Sequence, residues 1–100
     1  MTAGYVVYGL RETYPELGKY SFRVVLNPKV YSDCHESKMT MVDSDGTPMY
    51  FDVRKWGRKI NCSFVIDEET ADGVSSISLE LKTDDGTWNR SRLSLWIIKP

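Results

Sequence analysis

The stretch Ile60-Asn61-Cys62-Ser63-Phe64-Val65-Ile66 alternates apolar and polar side chains at every position but Val65. A period of two puts Ile60, Cys62, Phe64 and Ile66 on one face of a β-strand. After the polar link Asp67-Glu68-Glu69-Thr70-Ala71-Asp72-Gly73 the same period resumes with Ile77, Leu79 and Leu81. The link is expected to make one helical turn as a crossover before Asp72-Gly73 stops it.

Working outward, the same alternation recurs. Tyr20, Phe22, Val24 and Leu26 share the face of a second strand, with Ser21, Arg23 and Val25 on its other side. Met39 and Met41 point inward from a third, Met49, Phe51 and Val53 from a fourth, and Leu93, Leu95 and Ile97 from the last. A first strand, Tyr5 to Leu10, is apolar on both faces. The strands are separated by turn signals at Pro15-Glu16-Leu17-Gly18, Asn27-Pro28, Asp45-Gly46, Asp72-Gly73 and Asp85-Gly86, where Gly supplies positive φ and Pro ends a ladder. Seven short strands at this spacing predict an all-β fold: a single antiparallel Greek-key β-sandwich over residues 1–100.

The segment Phe64 to Val74, followed by Ile77-Ser78-Leu79-Glu80-Leu81, a Gly-containing hairpin and the strand Leu93 to Ile98, resembles the closing strands of bacterial immunoglobulin-like or fibronectin-III-like modules. It departs from antibody domains, which pair two cysteines around a core Trp; here Cys34 sits in a loop. The resemblance implies an accessory or interaction role without catalytic activity.

Composition agrees with a small folded domain. Val, Ile, Leu and Phe account for 24 of the 100 residues, above the roughly 20% below which chains tend to stay disordered. Thirteen basic against fourteen acidic residues leave a net charge of −1, so no global basic field attracts a phosphate backbone and nucleic acid is not an expected partner. No apolar run is long enough to span a membrane. The opening Met-Thr-Ala-Gly-Tyr lacks the basic and apolar regions of a secretion signal, which by default reads as cytoplasmic.

Chemistry-bearing motifs are sparse. Cys34 and Cys62 read as free thiols, Cys62 as a small core residue and Cys34 as partly exposed. Cys34-His35 supplies at most two soft ligands in a chain with one His, so no zinc site and no metal is expected. The same pair lacks an orienting third group for nucleophilic catalysis. Asp43-Ser44-Asp45-Gly46 begins like a calcium loop, but its spacing fails after the second Asp. The triplets Asn61-Cys62-Ser63 and Asn89-Arg90-Ser91 are read as unmodified. No cofactor and no enzymatic activity are expected.

The charges are expected to be polarised, because antiparallel connections alternate between the two ends of a sandwich. Segments 11–18, 43–48 and 67–74 gather Glu12, Glu16, Asp43, Asp45, Asp67, Glu68, Glu69 and Asp72 against Arg11 alone. Segments 27–37, 54–59 and 83–91 gather an excess of cations at the opposite end. That basic end collects the candidate contact residues Tyr31, Arg54, Lys55, Trp56, Arg58, Trp88 and Arg90. Arg and Trp together favour interface hot spots. A second candidate surface is Trp96 with Ile98, which face outward if Leu93, Leu95 and Ile97 face in; the first strand is their expected neighbour. The expected partner is another protein or a second copy of the chain. The alternative is a carbohydrate stacked on Trp56, Trp88 and Tyr31.

Overall fold

The computed structural model describes residues 4–100; Met1-Thr2-Ala3, read above for a secretion signal, lie outside the described residues. Eight strands run in the order β1 (Tyr5–Tyr8), β2 (Thr13–Tyr14), β3 (Gly18–Leu26), β4 (Ser37–Val42), β5 (Phe51–Trp56), β6 (Lys59–Ile66), β7 (Gly73–Lys82) and β8 (Trp88–Ile97). They form two four-stranded sheets, β1-β3-β6-β5 and β2-β8-β7-β4. The Greek-key sandwich is as expected, with one more strand. That strand is the two-residue β2, and it pairs parallel to β8, the one departure from an otherwise antiparallel pattern.

The core lies between the sheets and is built by the alternation read in the sequence. Phe22, Val24 and Leu26 of β3 meet Ile60, Cys62, Phe64 and Ile66 of β6, and face Ile77, Leu79, Leu81, Leu95 and Ile97 across the gap. Tyr14 is the reason β2 crosses to the second sheet. Its ring is buried, edge-on to Tyr20 at 4.7 Å and to Phe64 at 5.2 Å, and its hydroxyl accepts a hydrogen bond from the Arg11 amide at 2.9 Å.

The first strand stops at Tyr8 rather than Leu10, because Gly9 turns to a φ of 83°. Only Tyr5 and Val7 of β1 pack on the core, while Val6 and Tyr8 are exposed. The 67–71 link forms a hydrogen-bonded turn closed from the Thr70 amide to the Asp67 carbonyl at 3.2 Å, not a helical crossover.

Loop alternation places the acidic segments together as expected. Asp43, itself buried, fastens two of them: its carboxylate accepts hydrogen bonds from the amides of Asp45, Thr47 and, across the loops, Ala71, at 2.9, 3.0 and 3.2 Å. Gly73 lets the loops approach, since at its φ of +121° a Cβ would stand 2.9 Å from Ser44 Cβ. The calcium-loop motif is therefore used as a structural clip, with its first carboxylate spent on backbone donors.

Burial by itself would raise the Asp43 carboxyl, but the three amide hydrogen bonds, aided by Lys99, outweigh it and hold the group below the usual carboxylate range. A depressed folded value stabilises the fold above the unfolded carboxylate pKa of about 3.9 and loses that contribution as pH falls through the folded value. Asp43→Ala should cost about 1–3 kcal/mol at neutral pH, since it leaves three partly buried amides without acceptors. The part of the deficit that depends on the carboxylate charge should shrink in acid, as followed by urea unfolding at pH 7 and below pH 4.

Candidate binding surface

The residues expected at one basic, aromatic rim are distributed over three separate surfaces and the core. Tyr31 is the clearest correction. It is 1% exposed, because the Asn27 carbonyl accepts the amides of both Val30 and Tyr31 at 3.1 and 3.0 Å, and this tight turn swings the ring inward. Cys34 is also buried rather than partly exposed. Its amide donates to the Gly57 carbonyl at 2.8 Å, which folds the loop over the sandwich end.

Arg54, Trp56 and Arg58 gather on the outer face of the β1-β3-β6-β5 sheet. Strand register explains how. Tyr8, Arg23, Asn61 and Arg54 stand in one row across all four strands, and Val6, Val25, Lys59 and Trp56 in the next. Inner neighbours in each strand belong to the core, so parity sends these side chains outward. Trp56 is 83% exposed and Tyr8 55%.

The first row borders an open groove of about 500 Å³ whose lining includes Tyr8, Lys19, Arg23, Asp52, Arg54 and Asn61. Arg23 Nε donates to Asn61 Oδ1 and Arg54 Nε to Asp52 Oδ2, each at 3.1 Å. Both guanidinium groups are thus oriented through Nε, and their terminal nitrogens make no hydrogen bond to the described residues. Strands about 4.8 Å apart put Arg23 and Arg54, two strands removed, about 10 Å from each other. Arg58, in the β5–β6 turn, borders an adjoining depression with Tyr5, Val6, Tyr8, Val25 and Pro28.

Lys55 does not join this face. It shares parity with Phe51 and Val53, and its Nζ reaches across the sandwich to donate to the Ser37 carbonyl at 2.6 Å. There it blunts the free edge of β4, a common use of Lys on edge strands. Trp88 and Arg90 lie on the outer face of the other sheet. Lys38 Nζ stands 5.5 Å from the Trp88 ring centre, and Arg90 is paired to Glu80 at 2.8 Å. The three-aromatic platform of Trp56, Trp88 and Tyr31 is therefore not assembled: two members occupy opposite outer faces and the third is in the core.

Trp96 and Ile98 are half exposed, at 50% and 53%, toward the acidic end of the same sheet as Trp88. Their expected neighbour was β1, which belongs to the other sheet. Trp96 instead lies between Thr13 of β2 and Val74 of β7. The basic end also dissolves, since Arg54, Lys55 and Arg90 belong to strands and not to loops. Nine of the thirteen cations stand on strands and eight of the fourteen carboxylates lie at one end, while Asp33, Glu36, Asp84 and Asp85 gather in loops at the other.

Sequence reading missed Tyr8, Lys19 and Arg23 because their adjacency to Arg54 depends on strand order. The available signal was the outward parity of Arg23 beside core residues Phe22 and Val24.

The structure superposes on the filamin domain of Lin-41 with a TM-score of 0.68 at 11% identity, covering 94% of this chain and 91% of that one. CopC from Methylosinus trichosporium OB3b matches with a TM-score of 0.59 at 13% identity, covering 89% of this chain and 84% of that one. The fold is immunoglobulin-like. No protein-family model matches the chain, and no curated protein matches it. Likenesses at this identity concern the immunoglobulin-like fold alone.

Within that fold the thiols are structural. Burial pushes the Cys34 thiol up, only partly offset by Lys55, and burial with the Asp52 charge pushes Cys62 up to about 12. Among the described residues no group of three or more His, Cys, Asp or Glu is placed to hold a metal. Both thiols should resist alkylation in the native protein and react fully in concentrated urea. Rapid modification of Cys34 in the folded protein, detected by mass spectrometry, would contradict this placement.

Proposed function

We propose that the chain is a non-catalytic protein-binding module that engages its partner through the outer face of the β1-β3-β6-β5 sheet. The observation that carries this reading is Trp56, almost wholly exposed beside Arg23, Arg54 and Tyr8 in adjacent register rows. Trp, Tyr and Arg are the residue types that concentrate binding energy at protein interfaces. An indole so exposed contributes nothing to the core, and its burial against a partner would remove a large apolar area from water.

The other outer face supports the reading less well. Its Trp88 is less exposed than Trp56 and lies beside Lys38 Nζ, and its Arg90 is held to Glu80 through both Nε and a terminal nitrogen, where Arg54 keeps its terminal nitrogens free of hydrogen bonds to the described residues. Carbohydrate recognition, which calls for aromatic rings acting together, is disfavoured by the dispersal of Tyr31, Trp56 and Trp88. Catalysis is disfavoured by the burial of Cys34, the thiol adjacent to the chain's single His.

The test is comparative capture from native lysate. The wild-type domain and Trp88→Ala should retain the same partner, whereas Trp56→Ala and the double variant Arg23→Ala/Arg54→Ala should lose at least roughly tenfold in affinity, the expected scale for a hot-spot truncation above 1.4 kcal/mol. Equal capture by all four proteins would refute the assignment of the face.

A further inference from the structure

The cationic face calls for an acidic occupant, and the chain presents one elsewhere on its own surface. We infer that the β1-β3-β6-β5 face receives the Asp67–Asp72 loop of a second copy of the chain. This inference rests on the reading of that face as a binding surface and names its partner.

Charge complementarity argues for it on both sides. Lys19, Arg23 and Arg54 border the groove, and the single carboxylate among its lining residues, Asp52, is already bonded to Arg54. The incoming loop carries Glu68 and Glu69 exposed at its tip. Two of the alternative pairings are repulsive, since face against face opposes the same cations and acidic end against acidic end opposes carboxylates; the carboxylates at the opposite end are engaged locally, Glu36 with Lys82, Asp84 with Ser32 and Asp85 with Thr83 and Thr87. Like charges brought together in this way exclude wrong registers.

The loop is also organised before contact. Asp67 Oδ1 accepts hydrogen bonds from the Glu69 amide at 2.9 Å and from the Thr70 amide and hydroxyl at 3.1 Å each, while the Asp67 amide donates to Thr70 Oγ1 at 3.1 Å. Thr70 is buried beneath this turn, and Lys99 Nζ donates to the Glu68 carbonyl at 2.9 Å. A loop held at its base by these bonds loses little conformational freedom on docking. Donor loop and acceptor face are different surfaces of one molecule, so each copy uses each once. Such a heterologous contact propagates into filaments or closes into rings.

Size-exclusion chromatography with light scattering, at low and high salt, tests this with the intact chain. The wild type should exceed its monomer mass of 11.5 kDa with rising concentration at low salt and return toward it at high salt, as screening predicts. Arg23→Ala/Arg54→Ala and Glu68→Gln/Glu69→Gln should each remain monomeric, with circular dichroism matching the wild type. Mixed together they should form a one-to-one complex that grows no further, because one retains the loop and the other the face.

A wild type that stays monomeric at every concentration and salt would overturn the self-association, even if the face still captured a different protein. Assembly unaffected by either double variant, or a mixture that stays monomeric, would overturn it as well. Loss of both lysate capture and self-association from Trp56→Ala would support both readings, since both place their contact on that face; unchanged capture by the face variants would remove the underlying assignment.

Discussion

The burial of alternate side chains between the two sheets is the interaction on which every surface of this molecule depends. Phe22, Val24 and Leu26 of β3 are locked beside Ile60, Cys62 and Phe64 of β6 by the pairing of the two strands. A slip of one residue would exchange the faces, carrying Arg23 and Asn61 into the core and Val24 and Ile60 into water. The penalty for burying unpaired polar and charged groups makes that slip prohibitive. Core packing therefore fixes the outer face as firmly as the inner one. The row Tyr8, Arg23, Asn61, Arg54 is as much a product of hydrophobic burial as the core row beside it.

Electrostatics then acts on positions that packing has chosen. The net charge of −1 conceals an arrangement in which most cations occupy strands and eight of the fourteen carboxylates crowd the loops at one end. Several of those carboxylates serve the fold: Asp43 clips two loops together, Asp67 closes its own turn, and Asp72 accepts the Lys99 amide at 3.1 Å. Glu68 and Glu69 lie beyond these clips. Structural carboxylates thus hold the loop, and exposed ones give it its outward charge.

The strands were legible because period-two alternation is a local signal: β3 and β6 lie within a residue or two of where that alternation places them, while β7 begins at Gly73, four residues before the alternation of Ile77, Leu79 and Leu81. Strand order is not local. Arg23 and Arg54 are far apart in sequence and become neighbours in one row only through β6, so their face could not be read from either segment. Two residues were too few for β2 to show any period, and its parallel pairing followed from the burial of Tyr14. Tyr31 was misplaced because a loop aromatic reads as exposed until the Asn27 turn is known to point it inward. The loop bookkeeping placed the acidic end correctly, yet it counted strand residues Arg54, Lys55 and Arg90 as loop charges and so created a basic end that the fold does not have.

The proposed contact joins the outer face of the β1-β3-β6-β5 sheet to the acidic loop of a second copy. A dilution series followed by two-dimensional amide NMR addresses it residue by residue. Concentration-dependent shifts should cluster at Tyr8, Arg23, Asn61 and Arg54 and, with the same midpoint, at Glu68 and Glu69, leaving Lys38, Trp88 and Trp96 unmoved. Shifts confined to Trp88 or Trp96, or a spectrum indifferent to concentration, would contradict the claim.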